Sequence, residues 1–347
     1  MPILKWKQGE QITLRELDSA DQSKMMPLLE LLPFKDIPNA SFKESFKSEQ
    51  IKTAAKLIKA DFDQHPIAID TLLMAPSYSS QTKLMIATLL LLKSAGVNAV
   101  PVIHPGMVLA EPAELQRLKS FDEVVLRIRT GTLLPVQVDN LITALRSALG
   151  AQSSRIHILL DMHDIVGSLA PAKVAEVEPL IRAAMSNENS SSVILAGGAF
   201  PMSLAGIAQG SSSIARVDYD TYKLLQGNGY PNIIFGDYAV TNPILLEGLD
   251  PTKLNPSVQI RYTRDSDWLL LKAGGSKTHG MSQYIPLCNL LVSHKDYSGK
   301  TYSYGDGRYF YHTQAGATSG SYMTWRRDAT SHHIAFTVRQ QRLLFGI

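Results

Sequence analysis

The sequence is short of cysteine, of net charge and of long apolar runs, and each shortage argues against a class of protein. Cys288 is the only cysteine, so the chain cannot form an internal disulfide, as is typical of proteins from a reducing compartment. The formal net charge of +3 is too small to predict direct nucleic-acid binding on electrostatic grounds. The most apolar run, "LMIATLLLL" at 84–92, ends at Lys93 and is too short to span a membrane. The opening "MPILKWKQGE" lacks the apolar core of a signal peptide, so we expect a cytoplasmic protein.

Several catalytic signatures are also missing from the sequence. No Gly-x-Gly-x-x-Gly turn follows the first apolar run, and neither a P-loop nor a Gly-x-Ser-x-Gly elbow is present. Cys288 lies within an apolar helical run, which favours a packed side chain over a nucleophile. These patterns give no support to a dinucleotide-binding domain, a P-loop nucleotidase or a serine or cysteine hydrolase.

Short apolar runs alternate with segments of helical periodicity, a pattern that predicts a parallel β-sheet. Eight such units within about 240 residues favour a closed barrel over an open doubly wound sheet. We therefore predict an α/β fold, a (β/α)8 TIM-like barrel over 1–250. Helices are expected over 45–62, after the second strand, and near 214–225, after the seventh. The eight strands are predicted at 2–5, 25–31, 67–74, 99–105, 123–129, 155–161, 191–200 and 232–238.

Residues 251–347 do not continue the alternation of apolar runs and helical segments. Their pattern predicts a C-terminal α+β elaboration packed on the barrel. The stretch "QIRYTRDSDWLLLKAGG" indicates two strands around a polar turn. A helix over 281–295 is expected to supply the eighth barrel helix, and "SHHIAFTVRQQRLLF" predicts a terminal helix. The "GDG" at 305–307 is interpreted as a tight turn.

Charged side chains lie at seven of the eight predicted strand ends, where (β/α)8 barrels carry their functional residues. The seventh strand ends instead in Gly197 and Gly198, which would let a ligand approach the backbone closely. Two interpretations remain open. The charges form a structural ion network, with pairs such as Lys5 with Glu30 or Arg129 with Asp161, or they bind and process a ligand. The charged ends are Lys5, Glu30, Asp70, His104, Arg127 with Arg129, Asp161 with His163, and Asp237.

Under the ligand interpretation, the mixture of signs indicates an anionic small molecule. Lys5, Arg127 and Arg129 supply cationic donors that suit a carboxylate or a phosphate. We expect His163, the two glycines and Tyr238 to contact the same ligand. The candidate catalytic acids and bases are Glu30, Asp70, His104, Asp161 and Asp237.

The case for a metal is weaker, and the sequence leaves the cofactor open. His104, Asp161, His163 and Asp237 could together hold a divalent ion for hydrolysis. The first strand, however, has no His-x-His, and no acid-rich binding loop is present.

The segment "WRRDATSHH" at 325–333 has a structural and a functional interpretation. In the favoured structural one, Trp325 is an anchor, Ser331 caps a helix and one histidine satisfies a backbone carbonyl. In the functional one, the segment closes over the strand ends as a lid and brings Arg326 and His332 to the ligand.

Four short motifs resemble the phage "beta protein" family: "PILKWKQGE" at 2–10, "PLLELLP" at 27–33, "FGDY" at 235–238 and "WRRDATSHH". The resemblance covers nearly the whole chain and implies an association with phages and prophages. It further implies a role in a small prophage cassette, where a member restrains a toxic protein partner and takes part in anti-phage defence. It assigns no reaction and no catalytic residues.

Two classes of function follow. One is a regulatory binding protein with a partner from the same cassette. The other is a barrel hydrolase for a nucleotide or another phosphoester, with or without a metal. In the hydrolase, Asp161 or Asp237 would be the general base, and His104 or His163 the acid or a metal ligand.

Overall fold

The computed structural model describes residues 1–32, 65–74, 78–150, 154–245 and 253–345. The chain divides into two compact units, each built from several segments. The first, called here the barrel unit, comprises 1–6, 26–197 and 218–237. The second unit comprises 7–25, 198–217 and 238–347. The helix predicted over 45–62 lies outside the described residues.

Eight parallel strands in the barrel unit form a nearly closed barrel, in the order β1-β2-β3-β4-β5-β6-β7-β9. Pro2 bridges to Asp237, and the Asp237 N–H donates to the Met1 carbonyl at 3.2 Å, so the first and last strands meet. The predicted (β/α)8 architecture is confirmed. The strands are β1 (Ile3–Lys5), β2 (Leu28–Glu30), β3 (Ile67–Asp70), β4 (Ala99–Ile103), β5 (Glu123–Arg129), β6 (Arg155–Asp164), β7 (Ser190–Gly198) and, after β8 (Gly210–Ala215) of the second unit, β9 (Ile234–Asp237).

Residues with suitable backbone preferences mark the ends of the helices between these strands, as one helix illustrates. Pro135 occupies the first turn of one helix, where its missing N–H costs nothing, and Gly150 ends that helix at φ 59°. The apolar residues of the strands are almost all buried, as expected for a parallel sheet covered by helices. The helices that follow the strands are Tyr78–Ser94, Pro105–Ala110, Pro112–Leu115, Pro135–Leu149, Ala170–Ser186 and Val217–Gly227, with 3-10 turns at Leu72–Met74, Gln116–Leu118 and Thr130–Thr132.

The second unit contains a three-stranded antiparallel sheet in the order β10-β11-β8. The hairpin of β10 (Ser257–Thr263) and β11 (Asp267–Gly275) confirms the two strands predicted there. Strand β8 (Gly210–Ala215) corrects the helix expected near 214–225, which begins only at Val217. Ile214 instead pairs with Trp268 of β11, a long-range pairing that local periodicity cannot reveal.

Helices and the sheet of the second unit enclose an aromatic core. Tyr262, Tyr284, Tyr309 and Trp325 are all buried in it, together with the apolar residues of the hairpin. Cys288 is buried in the same core, as its apolar surroundings predict. The helices of this unit are Gln8–Arg15, Ser19–Gln22, Ser276–His279, Tyr284–Val292, Tyr304–Tyr311 and Tyr322–Phe345, with a 3-10 turn at Met281–Gln283.

The "GDG" segment is helical and is not the tight turn that the sequence suggested. Gly305 lies in the helix Tyr304–Tyr311, where a Cβ atom would come within 2.1 Å of the Asp328 carbonyl oxygen. Ser331 lies inside the helix Tyr322–Phe345 and accepts a hydrogen bond from the Gly305 N–H at 3.1 Å, so its predicted role as a cap is wrong. The glycine is therefore explained by the close contact of two helices.

We predict that Gly305→Ala lowers the free energy of unfolding by about 2 kcal/mol or more, because a backbone carbonyl cannot move aside as a flexible side chain can. Gly206→Ala is the matched control, since nothing lies within 4 Å of a Cβ atom there. Urea unfolding of both variants measures the effect. Equal unfolding midpoints for the two variants would refute the packing argument.

Candidate functional site

Arg127 of β5 lies at the centre of a buried ion network in the barrel unit. Its Nε and Nη2 atoms donate hydrogen bonds to Asp161 Oδ2 at 3.0 and 2.8 Å. Its Nη1 atom donates to Glu30 Oε1 at 2.9 Å and to Asp70 Oδ2 at 2.7 Å. Arg127 is 3% exposed and Asp161 is fully buried, so these bonds are largely shielded from solvent. One guanidinium therefore joins carboxylates from three strands other than its own.

The parallel register of the barrel explains why residues far apart in sequence meet here. Lys5 is in register with Glu30, and Glu30 with Asp70, so the carboxyl ends of β1, β2 and β3 are level. Lys5 Nζ lies 3.9 Å from Glu30 Oε2, as the ion-network interpretation expected. His104, immediately after β4, places its Nε2 atom 3.0 Å from both carboxylate oxygens of Asp70. Once Arg127 and Asp161 are included, charged residues from β1, β2, β3, β5 and β6 form one connected network with His104, the residue after β4.

Asp70 is held as a carboxylate by its neighbours. Burial alone would raise its pKa, but the charge and hydrogen bond of His104, followed by the charge of Arg127, hold the pKa well below its usual range. The Asp70–His104 pair also fixes the orientation of the imidazole ring. A carboxylate that orients a histidine in this way is a common element of acid–base sites.

His163 combines an unusual backbone with a perturbed side chain. Its φ of 57° lies in the left-handed region, which is uncommon for residues other than glycine and is associated with functional sites. The His163 N–H donates to Asp161 Oδ1 at 2.9 Å, which helps to hold this conformation. Burial, followed by the positive charge of Arg129, lowers the pKa of His163 to about 4. The ring is therefore neutral at pH 7, while Arg129 beside it is exposed.

The other predicted site residues of the barrel unit lie at neighbouring strand ends. Asp237 is buried at the end of β9. Gly197 is packed tightly, because a Cβ atom there would lie 2.9 Å from the side chains of both Ile165 and Met162. The groups that approach the Gly197 backbone closely are therefore two apolar side chains of the protein.

The remaining predicted residues belong to the second unit. A Cβ atom on Gly198 would lie 2.4 Å from the Pro243 ring, and Tyr238 is buried. His332 is fully buried and donates through Nε2 to the Thr263 carbonyl at 2.9 Å. This bond agrees with the structural interpretation, in which one histidine satisfies a backbone carbonyl. Arg326 is exposed on the helix Tyr322–Phe345.

The sequence patterns did not single out Asp306, which organises a second polar network. Its Oδ2 atom lies 2.9 Å from His332 Nδ1 and accepts from Ser303 Oγ at 2.6 Å. Its Oδ1 atom accepts from the Tyr262 hydroxyl at 2.8 Å, and that hydroxyl accepts from the Ser298 N–H. In the sequence, Asp306 stands out only as an acid between two glycines, and the interpretation of 305–307 as a tight turn gave no reason to single it out.

Asp328 is a further buried acid of the second unit. It lies in the helix Tyr322–Phe345, fully shielded from solvent, and accepts from Arg327 Nε at 2.7 Å. Burial raises the pKa of Asp328 to about 7, although the charge and hydrogen bond of Arg327 act in the opposite direction. The carboxyl group is therefore partly protonated at neutral pH.

Two further properties bear on the site. The described ranges contain no group of three or more His, Cys, Asp or Glu side chains arranged to hold a metal ion. Of the four weak metal candidates, Asp161 already accepts hydrogen bonds from Arg127 and from the His163 N–H.

Helices in the described part of the chain lack the combination of length and apolar character that crossing a bilayer requires.

The fold and this site define a (β/α)8-barrel protein whose strand ends carry a buried ion network. Residues 1–339 match the model of the family described as Beta protein, and the chain belongs to that family. The resemblance seen in the four short motifs is thereby confirmed. A search of curated proteins finds no matching relative.

We predict that Arg127→Met lowers the free energy of unfolding by about 3–5 kcal/mol, because it leaves three buried carboxylates without their shared cation. Arg129→Met is the control, and as an exposed substitution it should change stability by no more than about 0.5 kcal/mol. Chemical unfolding measures both. If Arg127→Met were no more harmful than Arg129→Met, the network would not be a structural requirement.

Asp328 predicts a specific pH dependence of stability. Its folded pKa of about 7 exceeds the unfolded value of about 4, so the folded state binds the proton more tightly between these values. Its contribution to stability is therefore lost as pH rises from about 4 to about 7. Asp328→Asn should remove this loss, so that the variant gains about 2–3 kcal/mol on the wild type between pH 5 and pH 8. Urea unfolding at both pH values provides the comparison, and parallel pH curves would contradict the assignment.

Proposed function

We propose that this protein is a phage- or prophage-associated regulatory component that restrains a toxic protein partner in an anti-phage defence cassette. Membership of the Beta protein family supports this biological setting. The observation that carries a binding role over a chemical one is the pairing of Arg127 with Glu30, Asp70 and Asp161. Carboxylates that are buried and already hydrogen-bonded to a guanidinium are poorly placed to transfer protons to a substrate.

The proposal includes an anionic ligand at the carboxyl ends of the barrel strands. Arg129 supports it, because its guanidinium is exposed at the end of β5 and suits a carboxylate or phosphate group. His163 lies beside it as a neutral ring that can donate one hydrogen bond. The ligand would act as a signal to the barrel and need not be turned over.

A hydrolase acting on a nucleotide or another phosphoester is the second candidate. The specific observation in its favour is the Asp70–His104 pair, in which a carboxylate orients an imidazole at 3.0 Å. In this version Arg129 would hold the phosphate, and a divalent metal is compatible with the chemistry but not required by it.

Co-expression with the neighbouring genes of the source genome tests the regulatory proposal. We expect a neighbouring protein to co-purify with the tagged chain and to become toxic when this gene is deleted. His104→Gln should still protect the cells, because the glutamine amide can donate to Asp70 and no chemistry is needed. Turnover of nucleotides or phosphodiesters by the wild type, lost together with protection in His104→Gln, would favour the hydrolase and end the regulatory proposal.

Thermal shift with inorganic phosphate tests the ligand part separately. Arg129→Gln should weaken the stabilisation by phosphate at least several-fold, while Arg117→Gln, an exposed change on the same unit, should not. An equal response of these two variants would remove the ligand from the strand ends without affecting the partner test.

A further inference from the structure

The second unit contains a cavity of about 810 Å³ that is separate from the ion network at the strand ends, since no residue of that network lines it. Its volume is within the range of about 300–1,000 Å³ that small-molecule sites occupy in proteins. Within the described residues, no aspartate or glutamate lines it. The side chains that give the cavity its chemical character are Gln259, Arg261, Lys272, Tyr322, Trp325 and Arg326.

Two arginines give the cavity a positive charge that no acid among the described lining residues balances. Arg261 of β10 is held by a hydrogen bond from Nη1 to the Val240 carbonyl at 2.5 Å, and its Cζ atom lies 4.3 Å from the centroid of the Phe200 ring. Burial, followed by the charge of Arg326, lowers the pKa of Arg261 to about 9. The two guanidinium groups thus repel each other across the site. An anion between them would relieve this repulsion.

Lys272 of β11 adds a third cation, whose ammonium makes two hydrogen bonds within the described ranges. Its ammonium donates to the Leu204 carbonyl at 2.6 Å and to the Ile207 carbonyl. An ammonium has three donors, and the residues that the structure describes accept from two of them, so one remains for a ligand. The two carbonyl bonds also fix the loop that forms one wall of the cavity.

Gln259 of β10 supplies a buried acceptor. Its Oε1 atom is shielded from solvent and has no hydrogen-bond partner in the described part of the protein. An unsatisfied buried acceptor costs about 1–3 kcal/mol, and rotation of the Gln259 amide toward the cavity would let a ligand that brings a donor satisfy it.

Two aromatic rings form an apolar wall. Tyr322 is 47% exposed, and the centroid of its ring lies 5.5 Å from that of the Trp325 ring in an edge-to-face arrangement. Trp325 stacks on Tyr284 at 4.7 Å and donates through Nε1 to the Ser319 carbonyl, so it cannot easily turn away. The wall therefore offers a planar ligand a rigid contact surface.

We propose that this cavity binds a nucleotide-sized organic anion, a phosphorylated molecule with a planar heteroaromatic ring. The phosphate pairs with Arg261 and Arg326, with Lys272 as a further donor. The ring lies against Tyr322 and Trp325, and one of its N–H groups donates to Gln259 Oε1. All these residues belong to the second unit, and the inference is independent of the regulatory role and of the ligand proposed at the strand ends.

Isothermal titration of the full chain with AMP, GMP and UMP tests this site. We expect at least one to bind at a single site, and more tightly than inorganic phosphate or the matching nucleoside. Arg326→Gln should weaken that binding about tenfold or more, since it removes an exposed cation without disturbing the core. Arg342→Gln, on the same helix but outside the cavity, makes the same change of charge and should leave the affinity unchanged.

Two further variants make the outcome decisive. Gln259→Leu removes the acceptor and should reduce the discrimination between the bases, while binding of inorganic phosphate is retained. Arg129→Gln reports on the strand ends, so a loss of nucleotide binding in Arg129→Gln but not in Arg326→Gln would assign the ligand to the barrel and overturn the proposal. Absence of saturable binding by all three nucleotides would overturn it as well, as would equal affinities of Arg326→Gln and Arg342→Gln.

Discussion

The guanidinium of Arg127 is the constraint on which the barrel unit depends. It joins residues that are 34, 57 and 97 positions away in the chain, and so it fixes the ends of β2, β3 and β6 relative to β5. The neighbouring charged groups take their positions from the same carboxylates. Asp70 orients His104, Asp161 holds the backbone of His163, and Glu30 lies beside Lys5. A buried charge cluster of this kind adds little net stability over an apolar core, but breaking it is costly.

The two units use charge in different ways. In the barrel unit, the buried acids face the Arg127 guanidinium and are paired with it. In the second unit, Arg261 and Arg326 face a cavity in which no acid from the described part of the chain balances them. Balanced charge is typical of structure, and unbalanced charge around a cavity is typical of binding. This contrast makes Arg129, Arg261 and Arg326 better indicators of ligands than the buried acids, which drew attention first in the sequence.

Much of the barrel could be predicted because its signals are local. Strand β5 was predicted at 123–129 and is found there, since an apolar run between turns is visible in the sequence alone. The meeting of the strand ends followed from the parallel order. The choice of Arg127 over Arg129 as the partner of Asp161 could not be predicted, because it depends on how far each long side chain reaches from a twisted strand.

What the sequence did not reveal is long-range. Strand β8 is a mostly polar "GSSSIA" that becomes a strand only because β11 lies beside it. Gly305 resembles a turn residue until the helix that contacts it is known. Two features of the sequence do indicate the polar groups of the second unit. A lysine lies inside the apolar run "LLLKAG", and Gln259 and Arg261 alternate with buried residues of β10. Both patterns direct polar side chains to one face of a strand.

The strands of the barrel differ greatly in length, and this has a kinetic consequence. β1 and β2 have three residues each, whereas β6 has ten and β7 nine. Short ladders carry few backbone hydrogen bonds, so amide protons should exchange with solvent first around the junction of β1 and β9 and last in β5 to β7. We therefore expect the barrel to open first at the junction of β1 and β9, where few backbone hydrogen bonds join the strands, while the pairing of Arg127 with Asp161 stays intact.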